Sequence, residues 1–189
     1  MNNVFITSAK RTAVGSLGKS LKSIKAEELG SAVITNIIKD SKFKKEDIDE
    51  VIFGQVLTGG SGQNPARQAA IKSGLAKDIP AYIVNQVCGS GIRSVVSGFQ
   101  SIKSNDSKIV IAGGQENMSL APHAIHLRDG KKLGDAKLVD TMIKDGLWDA
   151  FHGYHMGVTA ENVAEKFQVT RDEQDKFALS SQEKAIKAQ

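Results

Sequence analysis

Over its first 115 residues this chain alternates strand-like and helix-like segments, and no other feature restricts its fold as much. Val4–Thr7 reads as a strand, and Ala26, Leu29, Val33 and Ile37 then mark one face of a helix. Val51–Val56 predicts a second strand, followed by a glycine-rich turn, Gly59-Gly60-Ser61-Gly62. The next helix is signed at both ends, with Asn64 as N-cap, Pro65 at the first helical position and Gly74 just past the end. Ala81–Val84 predicts a strand, Ile92, Val95, Val96, Phe99 and Ile102 recur at helical spacing, and Lys108–Ala112 reads as a buried strand. Such alternation argues for a layered α/β domain with a largely parallel sheet. Function in these sheets gathers where strands end and helices begin. Two stretches occupy such junctions: the one around Cys88 and Gly113-Gly114-Gln115-Glu116.

Cys88, the only cysteine, sits in Asn85-Gln86-Val87-Cys88-Gly89-Ser90-Gly91, between a strand signal and the start of a helix signal. A thiol placed there meets the positive end of the helix dipole and unpaired backbone N–H groups, both of which favour the thiolate. Gly89 and Gly91 let a substrate or another backbone come close. A lone cysteine can also be a buried structural residue; this setting favours a nucleophile. The glycines at 59–62 lack the Walker lysine and the G-x-G-x-x-G spacing, so a turn into the Asn64 helix accounts for them better than a phosphate loop.

Composition narrows the class. The chain has 189 residues, 40% of them hydrophobic, enough to bury a core in one domain. One cysteine rules out an intramolecular disulfide framework and suits a reducing compartment. No apolar run approaches the ~18 residues that cross a membrane. Nothing ahead of Val4-Phe5-Ile6 reads as a signal peptide, so the expected location is cytoplasmic. The net charge of +4 fits a lysine-rich solvated surface or attraction to an anionic small molecule. No basic run interleaved with aromatics points to nucleic acid.

From Met118 the character changes. Ala121 to about Tyr154 carries charges and glycines with few clear elements, a length of loop that is usually functional or an interface. Ala160, Val163, Ala164 and Phe167 then mark a helix, and Thr170 with Glu173 forms a capping box for another. That helix reaches Ala188-Gln189 with no glycine cap or proline stop, and the chain reads as cut short.

Five segments carry a family likeness: Lys10-Arg11-Thr12, Gly62 to Ala69, Asn85 to Gly91, Gly113 to Ser119, and Gly153 to Gly157 with Thr159-Ala160-Glu161-Asn162. On these, the chain resembles the N-terminal half of the thiolase family, in its short-chain biosynthetic branch, from Val4 to Gln189. The resemblance implies a layered α/β/α fold with a mixed, largely parallel sheet, residues 1–118 forming the core domain. Residues 119–189 would be part of an inserted loop domain, and the C-terminal half of the fold would be missing. It implies acetyl-CoA C-acetyltransferase activity: Cys88 takes an acetyl group as a thioester, and a second acetyl-CoA, deprotonated at its methyl carbon, attacks it to give acetoacetyl-CoA and CoA, reversibly. Leu147, His155 and Met156 match thiolase residues along the pantetheine part of the site. The alternative for His155, which the resemblance outweighs, is a histidine packed and hydrogen-bonded at a helix start. Glu116 and Asn117 look architectural, fixing the loop that leaves the core strand. Arg128–Lys132 matches a loop that helps tetramers form near the coenzyme's phosphates, or is a solvated turn. His123, His126 and His152 receive no catalytic role. No cofactor is implied, coenzyme A thioesters being the substrates, and the oligomer would be a homodimer or homotetramer.

The sequence also departs from the family pattern. It contains neither a Gly-His-Pro motif, whose histidine activates the thiolase nucleophile, nor a second cysteine for acid–base work. Acid–base catalysis typically contributes ~100 to 10,000-fold, so little activity is expected from this chain alone, and a complementing C-terminal half is an expected partner. Two further readings stand beside an enzyme: a non-catalytic assembly or CoA-binding remnant, and a redox-sensitive thiol protein built on Cys88.

Overall fold

The computed structural model describes residues 3–188, which form two compact units dividing between Gly146 and Leu147. The first unit holds a three-stranded parallel sheet of β1 (Glu50–Gly54), β2 (Ala81–Val84) and β3 (Val110–Gly114), in the order β2-β1-β3. Register pairs Val51 with Ala81 on one side and with Ile111 on the other. β1 is therefore central, and Val51, Ile52 and Phe53 are all buried because helices cover both of its faces.

Period-two alternation assigns the faces. Val51, Phe53 and Ile111 share one core with Ile34 of α1 (Ala26–Asp40) and with Ala66, Ala69 and Ala70 of α2 (Pro65–Lys72). The buried carboxylate of Glu27 on α1 is met by Lys72 Nζ of α2 at 3.1 Å, so the charge taken from water keeps a partner. On the opposite face lies α3 (Ser90–Ser104), and it presents its small residues to the sheet. Ser90, Ser94 and Gly98 are its buried positions, and a Cβ on Gly98 would come within 3.1 Å of Val110. The larger apolar residues of the same helix, Ile92, Val95, Val96 and Phe99, face away from the sheet and are exposed.

The layered fold with a parallel sheet agrees with the sequence reading, and so do the local signals. Asn64 caps α2 by accepting the Arg67 N–H at 3.1 Å, Pro65 opens the helix, and Gly74 beyond its end has φ +81°. Arg67 in turn holds the loop before β2 by donating to the carbonyls of Ile79 and Lys77.

Val4–Thr7 is a correction: it joins no sheet, and Phe5 and Ile6 are 75% and 83% exposed. A strand exists only as one partner of a pair, and among the described residues neither open edge of the sheet, on β2 or on β3, pairs with this segment. The region after Met118 holds more structure than its composition suggests. A two-residue antiparallel pair, β4 (His123–Ala124) with β5 (Val139–Asp140), is followed by a π-helical turn over Met142–Leu147. Elements this short leave no hydrophobic period to read.

The second unit carries α4 (Met156–Phe167) and α5 (Arg171–Ala188). Thr170 and Glu173 form the expected capping box, with Thr170 N–H donating to Glu173 at 2.8 Å and Glu173 N–H to Thr170 Oγ1 at 3.3 Å. Among the described residues no helix is long and apolar enough to cross a membrane.

Candidate active site

The parallel strands of the sheet end on one side, and the turn from β2 into α3 lies there. Asn85–Gly89 make that turn, α3 begins at Ser90, and Cys88 stands two residues before it as an exposed free thiol. The helix start seen in the sequence is thus where the periodicity put it.

Two close approaches seat the turn. Gly54, the last residue of β1, lies against the backbone of Ser90 and Gly91, so that a Cβ on it would collide with both. Gly114, the last residue of β3, comes as near: a Cβ there would stand 3.6 Å from Gly91 Cα. The two junctions singled out in the sequence therefore meet. Ser94 Oγ, fully buried, lies 2.6 Å from both Gly91 O and Gly113 O and pins the first turn of α3 to the end of β3.

Inside the turn, Val87 has φ +48°, a left-handed conformation that β-branched residues rarely adopt. Asn85 Oδ1 accepts the Val87 N–H at 2.9 Å. Ser90 Oγ accepts the Gln86 N–H at 2.8 Å and donates to Val87 O at 2.6 Å. Sequence reasoning missed these roles of Asn85, Val87 and Ser90. Serine and asparagine flanking a turn are an available signal, but a valine in the left-handed region has none.

The segment leaving β3 is as architectural as the sequence suggested. The Glu116 carboxylate accepts the Val56 N–H at 2.8 Å and the Leu57 N–H at 3.4 Å, and burial, outweighing these two bonds, raises its pKa above the usual glutamate value. Asn117 Nδ2 donates to Leu21 O and Ile24 O at 3.0 and 2.6 Å, while its Oδ1 accepts Ser119 N–H at 3.0 Å. One side chain thereby ties the long connection before α1 to the exit of β3.

Leu147, His155 and Met156 belong to the second unit. Leu147, half-buried, ends the π-helical turn. His155 is the N-cap of α4, its Nδ1 accepting the Gly157 N–H at 3.0 Å, and an isolated bridge pairs it with Trp148. An accepting Nδ1 leaves the proton of a neutral imidazole on Nε2, where it can donate outward. Met156 is the first residue of the helix, and 36% of it is exposed. The turn before them is closed by Asp149, whose carboxylate accepts the N–H groups of His152 and Phe151 at 2.9 and 2.8 Å; these bonds, His152 first, lower its pKa. His152 and His123 pair with Asp149 and Asp140, consistent with structural roles.

A groove of about 590 Å³ lies at the other end of the sheet, lined by Asp49, Glu50, Tyr82, Ser101, Ser104 and Asp106 among others. It faces the strand starts, where parallel α/β sheets do not place their chemistry, and Ser101 and Ser107 already bond Glu50 at 3.0 and 3.4 Å. The turn holding Cys88 is the better candidate. Among the described residues no group of three or more His, Cys, Asp or Glu side chains is placed to hold a metal ion.

Residues 4–189 match the family described as "Thiolase, N-terminal domain". Among curated proteins, the chain is 57% identical over 189 residues to an acetyl-CoA acetyltransferase of Pseudomonas aeruginosa, covering 100% of this chain and 48% of that one. It is 56% identical over 187 residues to the acetyl-CoA acetyltransferase of Rhizobium meliloti, covering 99% and 48%. Against the cytosolic acetyl-CoA acetyltransferase of Rattus norvegicus, identity is 51% over 186 residues, covering 98% and 47%. The chain thus spans about half the length of these relatives.

Proposed function

The chain belongs to the thiolase family through its N-terminal domain, and from that premise we propose that it supplies the nucleophile half of an acyltransferase that condenses two acetyl-CoA into acetoacetyl-CoA and CoA. The Cys88 thiolate attacks the thioester carbonyl, a new C–S bond forms, and the coenzyme A thiolate leaves. The methyl carbanion of a second acetyl-CoA then attacks the acyl-enzyme and regenerates the Cys88 thiolate. Sulfur suits both steps, being a good nucleophile and a good leaving group. The N–H of Cys88 donates to the oxyanion that develops on the carbonyl.

One observation carries the reading: an exposed free thiol on a strand–turn–helix junction at the ends of parallel strands. His155, Met156 and Leu147 are proposed to contact the pantetheine arm, His155 through its free Nε2–H. The base that deprotonates the second substrate is not drawn from this chain, whose sequence has no other cysteine and no Gly-His-Pro. A polypeptide matching the other half of the relatives would supply it in the cytoplasm, the two halves together making up one subunit of a homodimer or homotetramer. A second reading, an assembly module without catalysis, is favoured by the exposed apolar face of α3.

Intact-mass spectrometry after incubation with acetyl-CoA, with peptide mapping and a Cys88→Ala control, separates the two. An acetyl adduct confined to Cys88 supports the acyltransferase. A folded protein that never acquires one supports the assembly module. Peroxide sensitivity of Cys88 without acylation would point instead to a redox thiol.

A further inference from the structure

We infer that Ser90, acting with Asn85 on Val87, is a positioning residue for Cys88: it holds Val87 in the left-handed conformation and thereby aims the peptide that carries the Cys88 N–H. The inference rests on the reading of Cys88 as nucleophile. A left-handed β-branched residue persists only where its surroundings over-determine it. Packing does not do so here, since Val87 is 49% exposed. Hydrogen bonds do. Both backbone groups of Val87 are held, its N–H by Asn85 Oδ1 at 2.9 Å and its carbonyl by the Ser90 hydroxyl at 2.6 Å, with the Ser90 backbone N–H adding a longer bond at 3.1 Å that Ser90→Ala would keep. The same hydroxyl accepts the Gln86 N–H at 2.8 Å, so its one proton has one destination.

The Val87 carbonyl and the Cys88 N–H belong to one peptide plane, and among the described residues no peptide bond is cis. In a trans peptide these two groups point in opposite directions. Drawing the carbonyl inward to Ser90 therefore turns the Cys88 N–H outward, where an acyl oxygen would sit beside the thiol. Ser90 itself is 4% exposed, so it acts through this peptide and not by touching substrate. Its own place is set by Gly54, which leaves no slack between the end of β1 and the start of α3. The strand–turn–helix elbows of α/β-hydrolases present their nucleophile by a comparable strained turn.

The test uses the full chain with Ser90→Ala, Val87→Gly and the double variant, following acetylation of Cys88 by acetyl-CoA and its alkylation by iodoacetamide, with circular dichroism to establish folding. Ser90→Ala should slow acetylation by roughly tenfold or more. Val87→Gly should stay within about twofold of the parent, because glycine takes positive φ without strain. The double variant should recover most of the lost rate, since a glycine at 87 no longer needs the hydroxyl. Rescue of this kind is not expected if Ser90 only stabilises the helix. Parental rates in Ser90→Ala, or a double variant as slow as Ser90→Ala, overturn the inference. Should Ser90→Ala not fold, a folded and reactive double variant supports it, and a double variant that is unfolded or unreactive overturns it. If the parent takes no acetyl group yet Ser90→Ala slows alkylation and Val87→Gly restores it, the positioning role stands and the acyltransferase reading fails. If the parent is acetylated and Ser90→Ala matches it, the reverse holds.

Discussion

Gly54 and Ser90 meet backbone to backbone where β1 ends and α3 begins, with no room for a side-chain carbon on Gly54. The contact sets how far the Cys88 turn stands above the sheet. Gly54→Ala should destabilise the chain by about 3 kcal/mol, the order expected for overpacking against backbone that cannot rotate away. Gly91→Ala is the control: a Cβ there meets nothing within 4 Å, and alanine at this helical position should stabilise by about 0.5–1 kcal/mol. Urea unfolding measures both. Equal stabilities for the two variants would mean that the strand end yields more readily than this packing implies.

Glu116 makes stability depend on pH with a definite sign. Burial raises its pKa in the folded chain above the ordinary value of 4.5, so the native state binds more protons than the unfolded state just above that pH. Its contribution is complete below pH 4.5 and is lost as pH rises through the raised value. Asp149 and Glu173, with lowered pKa values, act in the opposite direction at lower pH. Glu116→Gln keeps an acceptor for the Val56 N–H, removes the titration, and adds at most a pH-independent change at the longer Leu57 bond. Chemical denaturation from pH 4 to 7 should therefore show the variant gaining on the parent as pH rises; a constant difference refutes the assignment.

The outward face of α3 should make the isolated chain self-associate. Ile92 and Phe99 are 75% and 47% exposed and sit with Val95 and Val96 on one side of the helix. Ile92→Glu with Phe99→Lys should shift sedimentation velocity profiles toward monomer. The cost to unfolding stability should stay within about 0.5 kcal/mol, because neither side chain packs into the core. A profile unchanged by the pair would place self-association elsewhere.

Much of the fold was legible in the order of the segments. The Asn64–Pro65 cap and the Thr170–Glu173 box are contained in four or five consecutive residues, so the pattern of their hydrogen bonds can be read from the local sequence. Strand positions were legible to within a residue or two because β1 is covered on both faces and must be apolar throughout. The orientation of α3 was less so. Helical spacing identifies an apolar stripe but not what it faces, and the sheet takes the small stripe of Ser90, Ser94 and Gly98 instead.

The sequence by itself therefore determined the helices α1–α5 and the strands β1–β3, their order, the parallel α/β class and the placing of Cys88 at a strand-to-helix junction, since each of these depends on neighbours in the chain. Tertiary structure alone decided that Val4–Thr7 stays out of the sheet, that Asn117 reaches the carbonyls of Leu21 and Ile24, and that Gly54 abuts Ser90. Strand pairing and close packing join residues tens of positions apart, and no local pattern states which distant backbone will arrive.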